Sequence, residues 1–125
     1  MKVQGRCHCG AITYEAEVEP GTVNVCHCLD CQMLTGSAFR ANIAAPADRF
    51  RILTGKPRQY IKVADSGARR VHAFCEACGS PVYSCAPNKP ADLFIASRRV
   101  ERKRGAWPAG STDLDKAPPV LDTET

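Results

Sequence analysis

The sequence predicts an all-β fold, a small sandwich or barrel-like pair of sheets with two zinc sites and at most a short helix. Three observations carry that expectation. Apolar and polar residues alternate over short stretches. Turn residues divide those stretches at intervals of about ten residues. Seven of the eight cysteines fall into three tight clusters.

Ile12, Tyr14, Ala16 and Val18 alternate with Thr13, Glu15 and Glu17, which is the period of a half-buried strand. Pro20-Gly21 turns the chain into a short strand over Val23 to Val25. One or two helical turns are expected around Leu29 to Leu34, closed by Gly36. Phe39, Ala41 and Ile43 resume the alternation before the Pro46-Ala47-Asp48 turn. Further strands are expected at Phe50 to Leu53, Gln59 to Val63, Arg70 to Phe74, Pro81 to Cys85 and Leu93 to Ala96. Between them lie turns at Gly55-Lys56-Pro57, Asp65-Ser66-Gly67, Gly79-Ser80-Pro81 and Pro87 to Pro90. Residues 1–104 are expected to form one domain and residues 105–125, rich in Pro, Asp and Thr, an irregular arm over it.

A chain of 125 residues suits one domain. It buries about two-thirds of its unfolded surface, so metal cross-links would help hold it. Met1 to Gly5 leads into Cys7 with no apolar signal-like stretch, and no long apolar run exists. A cytoplasmic protein that neither crosses a membrane nor is exported by this route is expected. In that setting, clustered cysteines point to metal rather than disulfides. The formal charge of +4 treats cysteines as neutral. Zinc-bound thiolates would bring it to about +1, which weakens any inference from bulk charge to nucleic acid. The positive charge is concentrated in Arg98, Arg99, Arg102, Lys103 and Arg104.

Cys75-Glu76-Ala77-Cys78-Gly79 has the form of a zinc knuckle: two thiols three apart at a tight turn, with a glycine free to aim backbone N–H groups at sulfur. It supplies two ligands, and Cys7-x-Cys9, also followed by glycine, is the natural source of the other two. Cys26, Cys28 and Cys31 offer three ligands within six residues, enough to hold zinc with one position vacant. Three thiolates make zinc a weak Lewis acid toward water and better suited to capturing a fourth thiol. Alternatively Cys85, His8, His27 or His72 closes this site. Cys85 follows Pro81-Val82-Tyr83 and reads more simply as a small buried hydrophobe. His8 and His27 each sit between two ligands and read as structural.

In these segments the sequence resembles the glutathione-dependent formaldehyde-activating enzyme family, whose domain is shared with centromere protein V. The resemblance rests on Gly5-Arg6-Cys7-His8-Cys9-Gly10, Cys26-His27-Cys28-Leu29-Asp30-Cys31, Gly36-Ser37-Ala38-Phe39, Phe50 to Pro57, Asp65-Ser66-Gly67 and Phe74 to Pro81. It implies an Mss4-like all-β fold. It also implies two zinc ions: a structural one on Cys7, Cys9, Cys75 and Cys78, and a catalytic one on Cys26, Cys28 and Cys31. The implied activity is that of a carbon–sulfur lyase, joining glutathione to formaldehyde or cleaving the adduct. Two departures stand out: Gln32 where the family pattern has arginine, and a divergent tail after Leu93.

The expected partner is thus a small thiol such as glutathione or its aldehyde adduct, which the Arg98 to Arg104 run could steer. The rival reading is a non-catalytic zinc module, either a thiol carrier or a chromatin-associated protein binding phosphates through those arginines. No aromatic residue interleaves with them, so nucleic acid is disfavoured. Sequence gives no oligomeric state.

Overall fold

A computed structural model describes residues 2–18, 21, 23–88, 90–96, 100 and 101. The expectations placed on Pro20, on most of the Arg98 to Arg104 run and on the 105–125 arm lie outside these residues. Among them are ten strands and one short α-helix. The strands are β1 (Lys2–Arg6), β2 (Thr13–Glu17), β3 (Val23–Cys26), β4 (Arg40–Pro46), β5 (Phe50–Thr54), β6 (Arg58–Val63), β7 (Arg69–Phe74), β8 (Pro81–Cys85), β9 (Asp92–Ala96) and β10 (Val100–Glu101). The helix is α1 (Leu29–Thr35), and a 3-10 turn covers Ala47–Arg49. The all-β expectation holds, and Gly36 ends α1 as anticipated, its N–H bonded to the Gln32 carbonyl.

Two antiparallel sheets form, one in the order β10-β1-β2-β5 and the other β3-β4-β9-β8-β7-β6. The main core joins them. Tyr14 and Ala16 of β2 bury with Ile43 of β4, Val82 of β8 and Ile95 of β9. Each large apolar side chain buried there contributes roughly 1.5–3 kcal/mol. Aromatic rings bridge the layers: Tyr14 to Phe50 and Phe50 to Tyr83, each pair 5.3 Å between centroids. Gly5 faces Tyr14 across the β1–β2 pair, and a Cβ on Gly5 would lie 2.3 Å from the tyrosine ring. The glycine that opens the first cysteine motif is therefore a packing requirement.

The six-stranded sheet has two unlike faces. Val25, Ile43, Ile95 and Val71 point to buried apolar surroundings. The strand registers place Cys26, Arg40, Asn42, Ser84, His72 and Lys62 together on the opposite face. Helix α1 lies over that polar face, tied at one point by an ion pair from Asp30 to Lys62 of β6 at 2.9 Å.

Candidate metal centres

The first centre is built by two turns of the same design. After β1, the Cys7 N–H donates to the Ile12 carbonyl at 3.0 Å and Gly10 N–H to the Cys7 carbonyl at 3.2 Å. After β7, Cys75 N–H donates to the Ser80 carbonyl at 2.9 Å and Gly79 N–H to the Cys75 carbonyl at 2.7 Å. Gly10 (φ 82°) and Gly79 (φ 77°) both take the left-handed conformation that lets each turn close. Ile12 N–H also points at Cys7 Sγ, 3.3 Å away. The sequence form of the second turn thus holds, and the first turn repeats it.

These turns bring Cys7, Cys9, Cys75 and Cys78 together, with all four sulfurs within 4.8 Å of one another. Sγ–Sγ separations of 3.6 Å (Cys7–Cys9) and 3.8 Å (Cys9–Cys75) match the edge of a tetrahedron with metal–sulfur bonds of about 2.3 Å, which is about 3.8 Å. Ser80, buried, bridges the two turns: its Oγ accepts from His8 N–H at 3.0 Å and lies 3.2 Å from Cys78 Sγ. The Cys78 thiol donates to this oxygen, and once Cys78 is ionised the hydroxyl can instead give its proton to the sulfur. The Ser80 hydroxyl is the largest influence pulling the Cys78 thiol down to about 5. Cys9, despite a favourable Ala11 N–H, is pushed up to about 11 by the neighbouring thiols. Four thiolates at this spacing need a cation among them, and the residues fit a closed four-sulfur metal site.

The second centre stands at the junction of β3 and α1. Cys26 ends the strand, Cys28 is the N-cap of the helix and Cys31 lies in its first turn. Cys28 Sγ accepts from Cys31 N–H at 3.4 Å and lies 3.3 Å from Cys26 Sγ. All three sulfurs lie within 4.8 Å of one another, and among the described residues no fourth Cys, His, Asp or Glu donor joins them. Cys85 is buried with Val71 and Leu93 instead, and burial pushes its thiol up. His8 lies at the first centre, while His72 is engaged by Arg40. The His27 ring sits 6.0 Å from that of Phe39. The three-sulfur set fits a metal site with one position left for an outside ligand.

Charge around this centre comes from a residue that sequence reasoning missed. Gln32, at the departure from the family pattern, donates through Nε2 to the carbonyls of His27 (3.2 Å) and Ala38 (3.3 Å), fastening the loops at both ends of α1. The cation is Lys62 of β6, anchored by Asp30. Cys28 is held below the usual thiol range by the Cys31 N–H and Cys26, with the Lys62 charge adding to it. Cys31 is pushed up to about 12 by burial and by the adjoining sulfurs. Lys62 reaches this helix from a strand remote in sequence, so no local sequence signal marks it.

Beyond the sulfurs, two adjoining cavities of about 200 and 250 Å³ open against the polar face. Arg40 and Pro81 line both; Thr35 of α1 borders the first, and Leu34, Tyr60 and His72 border the second. Arg40, directly opposite Cys26 in the β3–β4 register, is 7% exposed and donates from Nη1 to His72 Nδ1 at 3.3 Å. Arginine has only donors, so Nδ1 accepts and the neutral ring carries its proton on Nε2. Burial, then the charges of Arg40, Lys62 and Arg70, lowers His72 to about 4. Arg40 Nε and His72 Nε2 are both buried without a partner among the described residues. An unmet buried donor costs roughly 1–3 kcal/mol.

A model of the family described as glutathione-dependent formaldehyde-activating enzyme matches residues 2–112. The fold is similar to the crystal structure of a Rhodobacter sphaeroides protein determined by the Northeast Structural Genomics effort. That similarity has a TM-score of 0.63 at 20% identity, over 89% of this chain and 96% of the other.

Proposed function

The chain belongs to the glutathione-dependent formaldehyde-activating enzyme family, and from that premise we propose that it is a zinc-dependent carbon–sulfur lyase acting on a thiol–aldehyde adduct. Cys7, Cys9, Cys75 and Cys78 hold a structural zinc; Cys26, Cys28 and Cys31 hold the catalytic one. The observation that carries the reading is the unequal completeness of the two clusters, four mutually close sulfurs in one and three in the other. Zinc in the three-cysteine site would offer an open position and lower the pKa of a thiol that takes it.

The protein's own residues do the rest. The α1 N-terminus and Lys62 favour the ionised form of Cys28, and Asp30 keeps the lysine in place. Gln32 fixes the loops on either side of the helix, so the three sulfurs keep their relative positions. In the synthetic direction the substrate sulfur forms a bond to the aldehyde carbon. The carbonyl π electrons move to oxygen, which takes up the proton that the thiol gives up. The reverse sequence releases aldehyde and thiol.

Adduct formation between glutathione and formaldehyde, followed by NMR with zinc-loaded and with metal-stripped, refolded protein, tests this. The expected outcome is acceleration by the zinc-loaded protein alone. Tight thiol binding with no acceleration would identify a thiol carrier instead.

A further inference from the structure

We propose that the hollow between α1 and the six-stranded sheet, centred on Arg40 and His72, binds a carboxylate of the thiol substrate and so selects acidic thiols over neutral ones. This rests on reading the Cys26/Cys28/Cys31 centre as the place where the substrate sulfur binds, and adds to it where the far end of the substrate goes.

Arg40 is a buried guanidinium, and among the described residues no carboxylate pairs with it. A buried charge ordinarily has a counter-ion. Among the described residues its side chain has His72 Nδ1 as a hydrogen-bond partner, and the Arg40 Nε–H and the His72 Nε2–H are two buried donors without an acceptor there. Both residues border the cavity of about 250 Å³, whose other walls, among them Leu34, Phe74, Pro81 and Tyr83, are mainly apolar, so these two residues supply its charge and donors. A carboxylate has two oxygens and accepts from two N–H groups at once. The field agrees in sign: Arg40, Lys62 and Arg70 all act on His72 as positive charges, with Asp30 a smaller opposing influence. Arg70 is itself placed over the Phe94 ring, 4.9 Å from its centroid.

Location links the hollow to the chemistry. Arg40 pairs with Cys26 across β3–β4, so its backbone stands about 5 Å from that of a ligand of the open centre. Its side chain runs from there to His72 on β7. On this reading a substrate whose thiol sits at Cys26, Cys28 and Cys31 would place an acid group at the Arg40–His72 pair. The distal arginine run, for which steering was expected, is not needed for this selection.

The experiment compares three probes on protein loaded with Co(II): glutathione, its diethyl ester and S-methylglutathione. Thiol binding is read from the sulfur-to-cobalt absorption. Carboxylate binding is read from the His72 ring signal in 15N-resolved NMR of the zinc form. The wild type should bind glutathione roughly ten- to hundredfold more tightly than the diester. S-methylglutathione should shift the His72 signal, and the diester should not. Arg40→Gln should bring the glutathione-to-diester ratio near one by weakening glutathione. A ratio that survives Arg40→Gln, or a His72 signal unmoved by saturating S-methylglutathione, overturns the proposal. Should Arg40→Gln fail to fold, the His72 signal of the wild type decides alone. Should neither thiol perturb the cobalt band while S-methylglutathione still shifts His72, the carboxylate site stands and the thiol reading of the metal centre falls.

Discussion

The two cysteine clusters use the same ligand atom in opposite structural settings. Cys7 and Cys75 are buried in the main core with Tyr14 and Val82, and their turns leave strands of different sheets, β1 and β7. Cys26, Cys28 and Cys31 sit at a strand–helix junction, partly or fully exposed, on a helix with no buried residue. A metal in the first setting cross-links the layers of the fold. A metal in the second would hold only a short segment, so its removal should cost the fold little. Burial and ligand count thus differ between the clusters although the ligand type is the same.

The largest effect expected is from Cys75→Ser. Structural zinc in small domains is worth roughly 10–16 kcal/mol of binding free energy, so the variant should lose cooperative thermal unfolding and both metals, measured by circular dichroism and metal analysis. A cooperative melt retained in Cys75→Ser would mean that the buried cluster does not hold the sheets together. Next comes Cys28→Ser, for which metal content should fall from two per chain to one and adduct formation to background. Its melting temperature should stay within a few degrees, and unfolding here would erase the contrast between the clusters.

Ser80→Ala removes the bridge between the two turns and leaves the His8 N–H without its acceptor. A loss of roughly 1–3 kcal/mol is expected in urea melts, together with faster zinc loss to a chelator from the closed site only. The smallest effect is from Lys62→Met. Lys62 is one of the influences that lower Cys28, so without it the thiol titrates at higher pH. Metal binding requires the thiolate and is lost as pH falls through the thiol range. The pH midpoint for loading the open site should therefore move upward by a fraction of a unit to about one unit, with the closed site unmoved. An unchanged midpoint would remove Lys62 from the account.

Much of this was legible in the chain because it is local. Alternation from Ile12 to Val18 marks β2, and each of those four apolar residues is buried. Cysteine spacing and the glycines after Cys9 and Cys78 mark both turns of the first cluster. Strand β1 escaped notice because Lys2 to Arg6 offers Val3 as its one large apolar residue, with Gly5 under the Tyr14 ring. Two-residue β10 lies beside a charged run with no alternation of its own. Lys62, Asp30 and Arg40 escaped for another reason, and His72 stood out only as a candidate metal ligand: each acquires its role from a partner more than 30 residues away. Position 32 was noticed as a missing cation, but the compensating charge comes from another strand.

The most direct test of the division between a closed and an open metal centre is a glutathione titration of protein carrying one Co(II) in each. The account predicts that the sulfur-to-cobalt absorption rises by the equivalent of one thiolate bond and saturates at one glutathione per chain. In Cys28→Ser, which keeps the closed site, there should be no change. A spectrum unaltered by glutathione in the wild type, or an equal rise in Cys28→Ser, would contradict it.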